Sequence, residues 1–347
     1  MIRKLFVCRS GGYDPYENLA LEEALLNRVE EGELILYLWQ NERTVVIGKN
    51  QNPWKECRTA LLAEEGGRLA RRLSGGGAVF HDLGNLNFTF LMPAEDYDLS
   101  RQLTVIERAC RGLGIPAERS GRNDLLADGR KFSGNAFYKH GGKAYHHGTL
   151  MVDVDMEMVQ RYLSPSRAKL AAKGVDSVRS RVVNLREFVP TLTIDQLSDA
   201  LIAALTEVYA AGAAIGRRPE AAELRPCHSE RSEESVPRPS VQTLAPDGPD
   251  LRALIAKYAS DAWLYGPKLP FTLSVEDRFP WGGIELRLNV NEGVIRGAKV
   301  YTDAMDETLA PRLEAALTGV PLRPEALSAA LPLQQRDELL SLLRSAL

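Results

Sequence analysis

The stretch from Leu69 to Leu86, LARRLSGGGAVFHDLGNL, carries the densest pattern in this 347-residue chain. Two adjacent arginines precede three consecutive glycines, and an apolar run follows them. Glycine lets backbone N–H groups approach a ligand closely and cradle phosphate or carboxylate oxygens. Arginine adds charge-assisted hydrogen bonds to the same oxygens. The stretch therefore predicts an anion-binding loop followed by a strand, although a tight turn with solvated arginines explains it equally well in isolation.

This loop differs from the two common nucleotide-binding fingerprints. No Gly-Lys-Ser/Thr follows the glycines, as a Walker A loop requires, and the spacing is not Gly-x-Gly-x-x-Gly. The chemistry that the loop serves must therefore be inferred from the motifs elsewhere in the chain.

A second polar cluster lies at Ser120–Ala136, SGRNDLLADGRKFSGNA, and holds Asn123, Asp124 and Lys131 among small residues. A lysine ammonium is the usual point charge for a phosphate or for a leaving group that gains negative charge. Asp124 offers hard oxygen ligands that suit Mg²⁺, or an acceptor for a ribose hydroxyl. The alternative is an exposed hairpin, since Asp-Gly-Arg-Lys is ordinary turn chemistry.

Two adjacent histidines, His146 and His147, precede a glycine in AYHHGTLMV. Adjacent residues of a strand point to opposite faces, so the pair cannot easily bind one metal ion. This argues against zinc and favours hydrogen bonding near a pocket. A basic segment, KLAAKGVDSVRSRV at Lys169–Val182, predicts either a solvated surface or a loop that closes on a nucleotide or docks an acidic carrier.

Composition excludes several classes of function. The net charge of −3 and the pI of about 6.1 give no basic field for nucleic acid. Apolar runs such as Leu34–Trp39 fall far short of the roughly 20 residues that cross a bilayer. Cys8, Cys57, Cys110 and Cys227 form no Cys-x-x-Cys pair, which favours free thiols in a reducing cytosol and a cytoplasmic location, with a cysteine nucleophile as the alternative.

Periodicity predicts the following elements in the first 215 residues. Helices are expected at Asn18–Glu30, Gln102–Leu113 and Thr193–Ala211, the last opened by a capping box between Thr193 and Gln196. Leu34–Trp39 and Thr44–Gly48 are expected to be paired strands. Asn85–Phe90 alternates apolar and polar side chains, which predicts a half-buried strand.

The composition then changes over Gly216–Asp250, which is rich in proline and charge and predicts a linker. Residues 251–347 predict a small second domain. Its expected elements are a helix at Leu251–Ala259, strands at Phe271–Val275, Gly283–Val290 and Val294–Tyr301 with a hairpin turn at 291–293, and helices near Glu307–Leu317, Pro324–Ala330 and Gln334–Leu343.

Taken together, the motifs resemble the lipoate–protein ligase A family. The landmarks, in chain order, are YDPYENLALEE (Tyr13–Glu23), TVVIGKNQNPWKEC (Thr44–Cys57), RLARRLSGGGAVFHDLGN (Arg68–Asn85), SGRNDL (Ser120–Leu125), RKFSGNA (Arg130–Ala136), HHGTL (His146–Leu150), LAAKGVDSVRSRVVNL (Leu170–Leu185) and DRFPWGGIELRLNV (Asp277–Val290). The resemblance covers most of the chain outside the linker.

The resemblance implies an α+β fold: a large mixed-sheet catalytic domain of the biotin/lipoate ligase type and a small α+β C-terminal accessory domain. It also implies an ATP-dependent enzyme with ATP as substrate and Mg²⁺ as cofactor. Such an enzyme converts lipoate, or octanoate, to acyl-AMP and then acylates a lysine of a carrier. The implied partners are the lipoyl domains of 2-oxoacid dehydrogenase acyltransferase subunits and the glycine cleavage H protein.

The resemblance also implies roles for individual residues. Arg72 and the loop backbone would contact the nucleotide, the loop residues being Gly75, Gly76, Gly77, Ala78, Val79 and Phe80. Lys131 would be the catalytic residue, reaching both the lipoyl carboxyl and the α-phosphate. Asn123 and Asp124 would lie near the adenylate or Mg²⁺. His147 and Gly148, with Arg72, would bind lipoate.

Three alternatives stay open at this point. An octanoyl transferase of the same superfold would act without ATP, and Cys57 or Cys110 could serve it as nucleophile. A biotin ligase is less compatible, since no Gly-Arg-Gly-Arg-x-Gly-Arg-like loop is present. A non-catalytic lipoate-binding protein would not need Lys131, Arg72 and the glycine loop together.

Overall fold

The computed structural model describes residues 2–120, 124–164, 182–209, 249–266 and 270–344. These residues form two compact units, each discontinuous along the chain. Unit 1 comprises Met1–Glu42, His81–Asp155 and Arg179–Lys257; unit 2 comprises Arg43–Phe80, Met156–Val178 and Tyr258–Leu347. The predicted division into 1–215, 216–250 and 251–347 stays a prediction, and most of the predicted linker lies outside the described residues.

The elements are as follows. The strands are β1 (Lys4–Arg9), β2 (Glu33–Trp39), β3 (Thr44–Ile47), β4 (Arg68–Arg71), β5 (Val79–His81), β6 (Asn85–Pro93), β7 (Ala117–Ser120), β8 (Asp124–Ala127), β9 (Arg130–Ser133), β10 (Asn135–His140), β11 (Lys143–Met151), β12 (Leu273–Phe279), β13 (Gly282–Asn291) and β14 (Val294–Thr302). The helices are α1 (Pro15–Arg28), α2 (Pro53–Glu56), α3 (Thr59–Glu64), α4 (Leu99–Gly112), α5 (Met156–Tyr162), α6 (Ile194–Tyr209), α7 (Pro249–Ala259), α8 (Asp261–Tyr265), α9 (Leu309–Leu317), α10 (Pro324–Ala330) and α11 (Arg336–Arg344).

Unit 1 is built on a five-stranded mixed sheet in the order β1-β2-β6-β11-β10. β1 runs parallel to β2, and the other neighbours are antiparallel. A smaller antiparallel sheet, β7-β8-β9, belongs to the same unit. The mixed sheet flanked by helices confirms the fold class that the sequence predicts.

Helices cover both faces of the five-stranded sheet. On one face, α4 and α6 pack against Leu36, Phe88 and Phe90 in the main apolar core. On the other face lies α1, whose Asn18 and Glu22 hydrogen-bond to side chains of the sheet. The burial of both faces sets the environment of every strand between them.

Local capping signals place the helix ends. The capping box is confirmed: the Thr193 N–H donates to Gln196 Oε1 at 2.9 Å, and the Gln196 N–H donates to Thr193 Oγ1 at 3.1 Å. Helix α1 begins at Pro15, earlier than predicted, because the Asp14 carboxylate accepts from the Tyr16 N–H at 2.8 Å and Pro15 suits the first helical position.

The prediction that β6 is half-buried is wrong. All nine residues of β6 are buried, including the polar Asn85, Asn87 and Thr89. The strand lies between β2 and β11, and α1 covers its polar face. Alternation therefore reports a change in side-chain chemistry from one face to the other, not exposure to water.

The predicted pairing of the strands at 34–39 and 44–48 is also wrong. β2 pairs with β1 and β6 in unit 1, whereas β3 pairs with β4 and β5 in unit 2. The connection between them holds Arg43 at a positive φ of 37°, a conformation typical of a turn, yet the turn does not close a hairpin.

Unit 2 contains two three-stranded sheets, β4-β3-β5 and the antiparallel β12-β13-β14. The predicted hairpin turn at 291–293 is confirmed, since Asn291 pairs with Val294 and both Glu292 and Gly293 have positive φ, at 51° and 70°. The C-terminal helices pack on this second sheet around a core of their own. Within the described residues, no helix is long and apolar enough to span a bilayer.

Candidate active site

The arginine pair before the glycines is buried in unit 2, which overturns the reading of a turn with solvated arginines. Arg72 is 6% exposed, and its guanidinium donates to neighbouring backbone oxygens. Nη2 donates to the carbonyls of Gly75 at 2.7 Å and Gly77 at 2.8 Å, Nη1 donates to that of Val46 at 3.1 Å, and Nε donates to Ser74 Oγ at 3.1 Å. Arg72 therefore fixes the shape of the glycine loop.

Arg71 makes a comparable set of hydrogen bonds to backbone carbonyls, both in the turn that follows β3 and in α8. Its Nη1 donates to the carbonyls of Lys49 and Gln51, both at 2.8 Å, and its Nε donates to that of Leu264 at 3.0 Å. Burial lowers the pKa of Arg71 to about 10. Arg71 and Arg72 thus place two buried guanidinium groups beside the glycine loop, and such groups favour the binding of an anion.

The glycines of the loop allow close backbone packing within unit 2. A Cβ on Gly75 would lie 2.8 Å from the Met305 carbonyl oxygen, and Gly76 has a φ of +86°. The Gly76 N–H donates to the Ala304 carbonyl at 3.2 Å. In this structure the Gly76 amide is thus already hydrogen-bonded.

The remaining predicted loop residues lead into β5. Gly77, Ala78 and Val79 are half-buried, so this part of the loop is open to solvent. Phe80 is buried and packs against the Tyr162 ring, with centroids 5.4 Å apart. Phe80 therefore anchors the end of the loop.

Lys131 lies on β9 in unit 1, where its ammonium forms an ion pair with Asp124 of β8 at 2.6 Å. The two side chains are 37% and 44% exposed. The predicted hairpin joins these strands through Asp128 and Gly129, both with positive φ. The predicted hairpin and the predicted binding cluster are therefore compatible, because the turn places Lys131 and Asp124 side by side.

Small residues leave space beside the Lys131 side chain. A Cβ on Gly134 would lie 3.8 Å from Lys131 Nζ and 3.7 Å from Thr149 Oγ1. Gly148 packs still more closely, since a Cβ there would lie 2.6 Å from the Gly134 carbonyl oxygen and from the Phe88 ring. Gly148 is therefore required by packing, and its predicted contact with lipoate stays a prediction.

The two histidines of β11 point to opposite faces, as the sequence predicts. His146 faces α4, with Nδ1 3.0 Å from Gln102 Oε1 and Nε2 2.8 Å from Asn135 Oδ1. Burial, followed by the charge of His147, lowers the pKa of His146 to about 3, so it is neutral. His147 faces α1, with Nδ1 2.9 Å from Glu22 Oε1.

The α1 side of the sheet carries a row of polar and aromatic side chains, all buried except the half-buried Thr149, which we name the polar seam. Its members are Glu22, Trp39, Asn87, Thr89, His147 and Thr149. Glu22 Oε1 accepts from Thr89 Oγ1 at 2.7 Å, and Thr89 Oγ1 also accepts from Trp39 Nε1 at 3.1 Å. Thr149 places one end of the seam beside the space at Gly134.

Sequence comparison identifies the family of this chain. Residues 14–206, more than half of the chain, match the lipoyl protein ligase A/B catalytic domain family, and residues 268–338 match the bacterial lipoate protein ligase C-terminus. The chain belongs to the lipoyl protein ligase A/B family. Its members attach lipoyl groups, and they include related transferases.

Solved structures of similar proteins support the family assignment of this lipoyl ligase-family protein. P. falciparum LipL1, solved in complex with lipoate, is 28% identical, with a TM-score of 0.79 over 97% of this chain and 98% of that one. The bipartite lipoate protein ligase of Thermoplasma acidophilum, described with its E2 lipoyl domain, is 24% identical, with a TM-score of 0.60 over 79% and 100%. A lipoate-protein ligase A bound with ATP is 24% identical, with a TM-score of 0.58 over 77% and 99%. The last two show the fold.

Two of the predicted features lie outside the described residues. Asn123 is one, and nearly all of the basic segment Lys169–Val182 is the other. Val182 and Val183 are described: Val182 pairs with Lys131, and the Val183 N–H donates to the Lys131 carbonyl at 2.9 Å. The chain that follows the basic segment therefore holds the backbone of the lysine strand.

Sequence reasoning about this ligase-family protein missed the polar seam. The available signal was the run of polar side chains at Asn85, Asn87 and Thr89, which resembles a solvated face. Glu22 was visible only as a landmark in YDPYENLALEE. No local pattern shows that α1 covers that face with the Glu22 carboxylate, 67 positions before Thr89.

Proposed function

We propose that this protein is an ATP-dependent lipoate–protein ligase that forms lipoyl-AMP, or octanoyl-AMP, and transfers the acyl group to a lysine of a carrier domain. The proposed carriers are the lipoyl domains of 2-oxoacid dehydrogenase acyltransferase subunits and the glycine cleavage H protein. The observation that carries the proposal is the Lys131 ammonium, which is half-exposed beside the small residue Gly134 and lies 2.6 Å from the Asp124 carboxylate.

The first half-reaction needs positive charge. A carboxylate oxygen of lipoate attacks the α-phosphorus of ATP, an O–P bond forms, and pyrophosphate leaves. Both reactants are anions, so their approach depends on fixed cations and N–H donors. We assign Lys131 to the carboxylate as it is activated, and Arg72 with the backbone of residues 75–80 to the nucleotide.

The second half-reaction needs an accessible mixed anhydride. The ε-amine nitrogen of the carrier lysine attacks the acyl carbon, the C–O bond to AMP breaks, and the amine loses a proton. An ammonium at Lys131 would stabilise the negative charge on the departing phosphate. The same residue can therefore serve both steps without forming a covalent bond.

The residues present fit Mg²⁺ that arrives with ATP. Among the described residues, no group of three His, Cys, Asp or Glu side chains could hold a metal ion. Mg²⁺ at nucleotide sites commonly takes one or two carboxylates and completes its shell with phosphate and water. Asp124 would supply one such carboxylate, and Mg²⁺ held there would neutralise phosphate charge.

The three cysteines that the structure describes do not favour an acyl-thioester route. Cys8, Cys57 and Cys110 are buried, and burial raises the pKa of each thiol to about 12. A thiol with such a pKa is almost entirely protonated at neutral pH and is a poor nucleophile. This supports the ligase over a cysteine-dependent octanoyl transferase.

The test is a transfer assay with the full chain, an apo lipoyl domain, lipoate and ATP. We expect the carrier to gain one lipoyl group by intact mass, with one AMP released per transfer and no transfer without ATP. Lys131→Ala should lower the rate of transfer by about 10²- to 10³-fold, and Lys139→Ala, which removes an exposed lysine of β10, should not. ATP-independent transfer from octanoyl-acyl carrier protein would instead identify a transferase.

A further inference from the structure

One buried amide on the sheet has an unused donor. Asn87 is 1% exposed, and its Oδ1 accepts a hydrogen bond from Asn85 Nδ2 at 3.0 Å. Its Nδ2 has no hydrogen-bond partner among the described residues. A buried donor without a partner has lost its hydrogen bonds to water and gained none in return, so proteins rarely keep one without a use.

The strand register shows which residues of the polar seam lie on either side of the Asn87 side chain. Asn87 lies on β6 opposite Thr149 of β11 on one side and opposite Trp39 of β2 on the other. All three project to the α1 side of the sheet, since their strands are in register and their neighbours face the apolar core. The donor thus lies between a hydroxyl and an indole.

The Thr149 side of this row leads to the catalytic lysine. Thr149 Oγ1 and Lys131 Nζ both border the space beside Gly134. Neighbouring strands lie about 4.8 Å apart, so Asn87 is roughly one strand spacing from Thr149. A carboxyl group held by Lys131 would therefore lie on the Thr149 side of Asn87.

The Trp39 side of the row suits an apolar chain. The indole is 4% exposed, it stacks on Tyr37 with centroids 5.9 Å apart, and its N–H is already donated to Thr89. What remains for a ligand is the apolar ring. An acid whose carboxyl lies towards Lys131 and whose hydrocarbon lies towards Trp39 therefore passes Asn87 near its carboxyl end.

We propose that Asn87 is a specificity-determining residue whose Nδ2 donates a hydrogen bond to an oxygen of the acyl carboxyl group. The inference rests on the proposed ligase function and names a feature of its substrate. The donor would select for a carboxylic acid, or its mixed anhydride with AMP, at this point of the seam. The donor would not contact the far end of the acyl chain. The binding of lipoate and that of octanoate would therefore depend on it equally.

Two substitutions separate the donor from the rest of the side chain. Asn87→Asp keeps the acceptor for Asn85 Nδ2 and replaces the donor with a carboxylate oxygen. Asn87→Leu removes both functions without adding charge. A matched control is Ser198→Ala, which removes a buried hydroxyl on α6, where it donates only to the Ile194 carbonyl at 2.8 Å. Thermal melting of each variant shows that it is folded.

The experiment measures ATP–pyrophosphate exchange with lipoate and with octanoate. We expect both Asn87 variants to lose about 10- to 100-fold in kcat/KM with each acid, as for the loss of one hydrogen bond to a charged group. The ratio between the acids should stay unchanged, and Ser198→Ala should retain wild-type values. Unchanged kinetics in folded Asn87 variants would overturn the inference. A loss confined to lipoate would also overturn it, because it would place the donor at the dithiolane. If the wild type itself shows no acid-dependent exchange, the proposed function fails, and that outcome is distinct.

Discussion

The glycine loop of unit 2 and the lysine hairpin of unit 1 both carry positive charge, but they hold it differently. Arg72 is buried, and its guanidinium donates to the backbone of its own loop. Lys131 is half-exposed, and its ammonium is paired with the single carboxylate of Asp124. A cation that binds its own loop shapes a site, whereas one with an exchangeable partner can act on a ligand.

This comparison predicts opposite effects on stability and activity. A protein without the Arg72 side chain should unfold more readily, whereas a protein without the Lys131 side chain should keep its stability. The predictions below are ordered by the size of the expected change in the free energy of unfolding.

The largest change is expected for Arg72→Ala. The substitution leaves the carbonyls of Gly75, Gly77 and Val46 without their donor and opens a cavity, at a cost of about 3–5 kcal/mol. Arg68→Ala, at the exposed start of β4, the strand that ends just before Arg72, should cost less than about 0.5 kcal/mol. Urea unfolding measures both, and equal costs would show that Arg72 does not shape the loop.

Gly148→Ala should be the next most costly. A methyl group there would lie 2.6 Å from the Gly134 carbonyl oxygen and from the Phe88 ring, and overpacking of this kind costs about 1–3 kcal/mol. The control substitution should have the opposite effect. Gly112 is the last residue of α4, and a Cβ there would meet no atom within 4 Å. Gly112→Ala should therefore raise the free energy of unfolding by up to about 1 kcal/mol. An unchanged free energy of unfolding in Gly148→Ala would show that the residues packed around β11 can shift to make room for the methyl group.

His146 should make stability depend on pH. Its folded pKa of about 3 lies below the ordinary 6.5, so its contribution is complete above pH 6.5 and is lost as the pH falls towards 3. Between pH 6.5 and 5.5, wild type should lose about 1 kcal/mol more than His146→Gln, since one unit of pKa corresponds to about 1.4 kcal/mol. Parallel pH profiles of urea unfolding would contradict this assignment.

The smallest change is expected for Lys131→Ala. An ion pair whose partners are 37% and 44% exposed contributes at most about 1 kcal/mol, because water screens it. Melting temperatures within a few degrees of wild type would agree. A loss as large as that of Arg72→Ala would remove the contrast between the two regions.

Local signals in the sequence were sufficient for much of the fold. The capping box at Thr193 and Gln196 and the turn at 291–293 depend on neighbouring residues, and both are confirmed. The pairing of β2 with β3 failed because adjacency along the chain says nothing about which sheet a strand joins. Register between distant strands is set by packing that no local window contains.

In the candidate site, too, contacts between residues close in the sequence could be predicted, whereas contacts between distant residues could not. Lys131 and Asp124 are seven positions apart, and a hairpin brings them together, so their cluster was visible in the sequence. Glu22 and His147 are 125 positions apart and meet only because α1 covers β11. The burial of Arg72 was likewise hidden, since a pair of arginines before glycines is equally compatible with water.

The central claim is that the Lys131 ammonium activates the acid, and lipoate-dependent ATP–pyrophosphate exchange tests it most directly. The account predicts exchange in wild type and in Lys139→Ala, and a fall of about 10²- to 10³-fold in Lys131→Ala that melts like wild type. Wild-type exchange in folded Lys131→Ala would contradict the claim and would assign the acid-activating charge to another residue.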